Sequence, residues 1–152
     1  MLAGLYFCSM SNYDFKAVIH ETFDKQEFLN FIGAKISALE QGFCEITLPY
    51  RDELTQQNKF FHAGIVGTLA DNAAGMAGFS TMEEGSSVLS VEYKVNLLAP
   101  AKGDVLIARA KVIKAGKTLT VCNADVFAVT GGVEKLCATA TVTLMALKNY
   151  TK

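Results

Sequence analysis

Tryptophan is absent from the 152 residues, proline and histidine occur twice each, and the four cysteines stand far apart. Cys8, Cys44, Cys122 and Cys137 form no C-x-x-C pair. With so few histidines, the chain offers neither the ligand spacing of a metal site nor the framework of a disulfide-stapled fold. Free thiols in a reducing compartment are expected instead. An excess of one charge is missing too: 14 Lys and Arg are interspersed with 15 Asp and Glu, for a net charge of −1. That balance leaves no basic footprint for nucleic acid. No stretch approaches the ~20 continuous apolar residues of a membrane span. The amino-terminal MLAGLYFCSM has no basic residue ahead of its short apolar run and does not read as a secretory leader. A cytoplasmic protein is predicted, with Met10 as a candidate alternative start. The length suits one core and one domain, and no internal repeat divides it.

What is present is concentrated in residues 58–82, NKFFHAGIVGTLADNAAGMAGFSTM. On a helix turning about 100° per residue, Ile65, Val66, Leu69, Ala73, Met76 and Ala77 fall on one side as a core stripe. The other side carries Gly64, Gly67, Asp71, Ala74, Gly75 and Gly78. Each glycine inside a helix costs about 0.8–1 kcal/mol relative to alanine, so this face implies that something comes very close to it. Asp71 is the only charged side chain between His62 and Met82, which marks it as a candidate functional carboxylate. His62 stands where the helical pattern begins, and local capping and a direct catalytic role are both open to it. Nine residues separate the two, ~13 Å along the axis, so one substrate atom cannot touch both within one helix. A second copy of the helix, bringing its amino end to Asp71, would unite them.

The flanking segments read as one short helix and a set of strands. DKQEFLNFIG, residues 24–33, has an acidic start and a terminal Gly33, as a capped helix would. Two strands are predicted around the turn Glu40-Gln41-Gly42, the second with Cys44, Ile46 and Leu48 on one face. From Leu89 to Leu97 the odd positions are apolar, and Ser90, Glu92, Lys94 and Asn96 are polar, which predicts a half-buried strand with Ser90 on its polar face. Strands 104–113, 118–129 and 133–146 follow, joined at Ala115-Gly116 and Thr130-Gly131-Gly132 as an antiparallel meander. The class is α+β, a sheet wrapped around one long helix.

HAGIVGTLADNAAGMAG, with LSVEYKVNLLAPAKGD and KAGKTLTVCNADVF downstream, resembles the PaaI-type acyl-coenzyme A thioesterases of the hotdog fold. The likeness covers roughly residues 34–146 and rests on His62, Asp71 and the Pro100 turn in register. It implies a hotdog domain at 34–152, preceded by an extension and short helix at 1–33. It implies that Asp71 is the general base or nucleophile, that His62 lies at the thioester end, and that the Ala63 N–H is the oxyanion donor. Ser90 would help to position water. Asn58 matches an upstream polar residue, with Gln56 and Gln57 competing for that role. Gly64 would line the substrate site, and Lys114 and Lys117 would meet coenzyme A phosphates. Ala63 replaces the glycine common after the histidine. The resemblance also implies a homodimer with shared sites, and pairing of dimers into a homotetramer.

The chemistry fits that implication. A thiol leaving group has a pKa of about 8.5, so it departs without a strong acid. One carboxylate and one helix amino end can therefore suffice, with no metal or cofactor. A hotdog hydratase or dehydratase, or a non-catalytic acyl-coenzyme A binding protein, would use the same pocket.

Overall fold

The computed structural model describes residues 13–148, so Cys8 and Met10 lie outside the described residues. Each period-two segment forms a strand: β1 Lys35–Glu40, β2 Phe43–Pro49, β3 Ser86–Leu97, β4 Val105–Ala115, β5 Leu119–Thr130 and β6 Val133–Lys148. All pairs are antiparallel, in the order β1-β2-β4-β5-β6-β3. Cys44, Ile46 and Leu48 on β2 are fully buried, as their alternation predicts. The sheet wraps the central helix, here α3, Ala63–Phe79, in the hotdog arrangement.

Two helices precede β1: α1, Phe15–Asp24, and α2, Glu27–Ile32. The helix expected at 24–33 is α2, and it ends as anticipated on Gly33 in the left-handed region at φ 85°. Asp24, placed in that helix by its acidic start, closes α1 instead, a helix for which the sequence reading offered no element. Asp14 caps α1 by accepting the Ala17 N–H at 3.1 Å. Ile19 and Phe23 of α1 and Leu29 and Ile32 of α2 enter the same core as β2 and α3. Residues 13–33 therefore share one packing unit with the sheet.

β3 departs from its expected pattern. It lies at the sheet edge, and Leu89, Val91, Tyr93 and Leu97 remain 51%, 55%, 51% and 57% exposed. Its strict alternation is also broken, because Ser90 pairs with Leu144 while Glu92 pairs with Thr143, which leaves Val91 as an extra residue. Such a bulge moves everything before it to the opposite face. Ser90 thus shares the helix-facing side with Tyr93 and Val95, not the polar side with Glu92, Lys94 and Asn96. Leu89, opposite Met145, turns to the outer side.

The glycine face of α3 is likewise divided. A β-carbon at Gly78 would meet Leu144 Cδ1 at 2.2 Å, and one at Gly67 would meet Tyr93 Cε2 at 3.5 Å. Gly78 thus lets the helix lie against its own sheet, and Gly67 faces that sheet at ordinary contact distance, so both are turned toward this chain and not toward a second helix. The open stripe is instead Gly64, Thr68, Asp71 and Asn72, at helical spacing along one flank.

Candidate active site

The bulge in β3 and the open flank of α3 meet at one polar contact. Ser90 Oγ donates to Asp71 Oδ1 at 2.6 Å. Oδ2 has no hydrogen-bond partner among the described residues. Asp71 is half-buried, and burial raises its carboxyl above the ordinary range while the Ser90 hydroxyl pulls it partly back. Desolvation is the larger effect, so the group is a stronger base than a surface aspartate yet has one oxygen held in place. Beside it lies a cavity of about 640 Å³ whose walls include Asn72, Gly75, Met76, Val88 and Leu147. Thr22 and Gln26, from the junction of α1 and α2, complete it.

The amino end of α3 forms a second arrangement. His62 is the N-cap, and its Nδ1 accepts the Gly64 N–H at 2.9 Å, which places the proton of a neutral ring on Nε2. The Ile65 and Val66 N–H groups donate to the His62 carbonyl at 2.9 and 3.2 Å. Of this first turn, the Ala63 N–H alone has no acceptor among the described residues. Ala63 lines a cavity of about 440 Å³ with Gln56, Phe61, Pro100 and Cys137. A free N–H at the positive end of a helix, opening on a cavity, is suited to a developing oxyanion.

The profile of the thioesterase superfamily matches residues 58–135, about half of the chain, from the turn before His62 into β6. The chain belongs to that superfamily. A crystal structure of a thioesterase family protein from Silicibacter pomeroyi is 46% identical, with a TM-score of 0.88, over 89% of this chain and 99% of that one. Acyl-coenzyme A thioesterase 13 of Homo sapiens is 35% identical over 83 residues, 54% of this chain and 57% of the human protein. The E. coli PaaI protein, from the phenylacetic acid degradation operon, shares the fold at 21% identity, with a TM-score of 0.76 over 88% and 93% of the two chains.

Within this thioesterase chain the predicted residues fall into three places. Asp71 and Ser90 are in contact. His62, Ala63 and Gly64 sit ~10–13 Å away along the helix axis, and Gln56 joins Ala63 in its cavity. Gln56 Oε1 also accepts the Asn58 N–H, while Gln57 and Asn58 themselves are exposed on the turn and outside that lining. Of the three competing upstream residues, Gln56 is therefore the one with access to the helix end. Lys114 and Lys117 stand at the β4–β5 hairpin, and Lys117 shares a hollow with Thr81 and Met82 just past the end of α3. One chain does not bring these lysines to either arrangement. Asn72, Thr22 and Gln26 were not singled out from sequence, and Gly75 was read only as part of the small-residue face. Its place one turn beyond Asp71 could have marked it as cavity wall, whereas nothing local marks Thr22 or Gln26. Among the described residues no cluster of three His, Cys, Asp or Glu could hold a metal ion, and no helix is long and apolar enough to cross a membrane.

Proposed function

We propose that this thioesterase hydrolyses acyl-coenzyme A esters to the free acid and coenzyme A, using no metal or cofactor. The observation that carries the reading is the 2.6 Å hydrogen bond from Ser90 to a half-buried Asp71. With Oδ1 held, Oδ2 is free to take a proton from water as the water oxygen bonds to the thioester carbon. The carbonyl oxygen becomes an oxyanion held by the Ala63 N–H. When the carbonyl re-forms, the carbon–sulfur bond breaks and coenzyme A leaves as a thiolate, whose conjugate acid has a pKa of about 8.5. Asp71 can alternatively attack the carbon itself and pass through an anhydride that water then opens.

The ~12 Å between Asp71 and Ala63 along the helix axis calls for two copies of the chain for one site. The half-exposed apolar residues of edge strand β3 and the open flank of α3 support that pairing, because an unpaired apolar edge invites another strand. Each site would take Asp71 and Ser90 from one copy and His62, Ala63 and Gln56 from the other. Lys114 and Lys117 would then serve the coenzyme A phosphates. The chamber beside Asp71 has room for aromatic acyl groups such as phenylacetyl and for medium or long aliphatic ones.

The test is release of free thiol from phenylacetyl-, hexanoyl- and decanoyl-coenzyme A. Turnover that depends on Asp71 supports the reading. Tight binding of all three without thiol release would refute it.

A further inference from the structure

We infer that Gly75 is a specificity-determining residue that sets the width of the acyl chamber; this rests on the acyl-coenzyme A reading above. Glycine in the middle of a helix is destabilising relative to alanine, so each one calls for a reason. Gly64 and Gly78 have a neighbour too close for an unstrained β-carbon, and Gly67 has one at ordinary van der Waals distance. A β-carbon would meet His62 Nδ1 at 3.1 Å from position 64, Tyr93 Cε2 at 3.5 Å from position 67, and Leu144 Cδ1 at 2.2 Å from position 78. At Gly75 it would meet nothing within 4 Å. Gly75 is nevertheless buried, and it forms part of the wall of the ~640 Å³ cavity that contains Asp71. The missing side chain is thus not making room for any of the described residues. It leaves space in the cavity.

The location says which part of a substrate would use that space. Gly75 follows Asp71 by four residues, so it lies on the same flank of the helix and ~6 Å further along the axis. With the thioester carbon held at Asp71, an acyl group passing along this flank meets Gly75 a few carbons beyond the carbonyl. Met76, Val88 and Leu147 are apolar parts of the cavity wall, and Thr22 and Gln26 are polar ones. The chamber accordingly takes acyl groups that are bulky at that depth, either an aryl ring or a chain of six or more carbons. Acetyl and butyryl groups end before reaching it.

The experiment compares full-length wild type with Gly75→Ala and Gly75→Val. It measures kcat/KM by thiol release on acetyl-, butyryl-, hexanoyl-, decanoyl- and phenylacetyl-coenzyme A, with thermal melting and size-exclusion chromatography alongside. Gly75→Ala should melt at or above the wild-type temperature, because the added methyl meets nothing within 4 Å among the described residues. Acetyl and butyryl esters should keep their kcat/KM within about threefold. Phenylacetyl, hexanoyl and decanoyl esters should lose about tenfold or more, in the range one methylene is worth in a fitted pocket, and more with Val than with Ala. An active wild type whose preference is unmoved by either substitution overturns the chamber assignment alone. So does an equal loss on every ester, or a loss accompanied by a changed oligomeric state, which would mean that Gly75 makes room for a second copy of the chain. A wild type inert toward every ester overturns the acyl-coenzyme A reading, and this inference with it.

Discussion

Asp71→Asn should move activity and stability in opposite directions. Asparagine keeps the size of the side chain and leaves an oxygen to accept from Ser90 Oγ, which now donates at 2.6 Å. What is removed is the negative charge and the basic oxygen. The loss of a positioned acid–base group typically costs 10²–10⁴-fold, so turnover of acyl-coenzyme A should fall by at least about 100-fold. Stability follows from the pKa. Burial raises the Asp71 carboxyl in the folded protein, and the Ser90 hydrogen bond only partly offsets it. A carboxyl whose folded pKa lies above its unfolded value binds the proton more tightly when folded. Its stabilising contribution is complete below the unfolded pKa and is lost as pH rises through the folded one. At neutral pH the ionised Asp71 is therefore a net cost to folding, which Asn does not bear. Asp71→Asn should melt higher than wild type at pH 7, and the gap should narrow at acid pH, where the wild-type carboxyl is itself neutral. Thermal melts across pH 3.5–7.5, paired with thiol-release assays, check both halves. Unchanged turnover in the folded variant would remove Asp71 from the chemistry, and a lower melting temperature at pH 7 would show that the ionised carboxylate is not a net cost to folding and that its pKa is not raised.

Ser90→Ala leaves the carboxylate without its donor, so the acid limb of the kcat/KM profile should shift to higher pH. Because a net hydrogen bond is worth about 0.5–1.5 kcal/mol, kcat near neutrality should fall roughly 2- to 10-fold with KM little changed; a rise in KM alone would make Ser90 a binding residue. Gln56→Ala should reduce turnover, while Asn58→Ala, outside the cavity lining, should not, and the reverse pattern would reassign the role. Burial pushes the Cys44 thiol up to about 12 and the Cys122 thiol up to about 11, so neither should react with iodoacetamide in native protein at pH 8. Mass spectrometry should find both alkylated only after unfolding. Asp71→Ala and His62→Ala chains, unfolded together and refolded as a mixture, should recover about a quarter of all sites if each site takes one residue from each copy. Provided His62→Ala is impaired by itself, a mixture no more active than the mean of its parents would leave each chain to act alone.

What could be read from the sequence divides along physical lines. Period and capping are local, so β1, β2, β4, β5 and β6, the Gly33 cap and the His62 start of α3 could all be anticipated within a residue or two. α1 could not, because FKAVIHETFD buries only Ile19 and Phe23 and stands close to a second helical pattern that ends on a clearer glycine. The bulge at Val91 is likewise invisible in an alternating string. LSVEYKVNL satisfies a strict period of two, and only pairing with β6 shows that one residue is extra. That single residue decides the site. Without it Ser90 would point away from α3 with Glu92 and Lys94, and the hydroxyl would be out of reach of Asp71.

The small-residue face of α3 shows the same limit from the other side. Composition marked Gly64, Gly67, Gly75 and Gly78 as one surface needing close approach, since each costs helix stability for the same reason. Their neighbours differ. Gly67 and Gly78 are met by the chain's own sheet, Gly64 by the ring of the N-cap histidine, and Gly75 by no atom within 4 Å. A helical wheel assigns a direction to each residue but not the identity of what lies there, so it could not separate packing from cavity. It did place Asp71 on the flank that stays open, because a lone carboxylate amid glycine and alanine has no salt-bridge partner one turn away on its own helix to hold it elsewhere. The serine that engages it instead comes from a strand 19 residues later, across a turn and just ahead of the bulge at Val91.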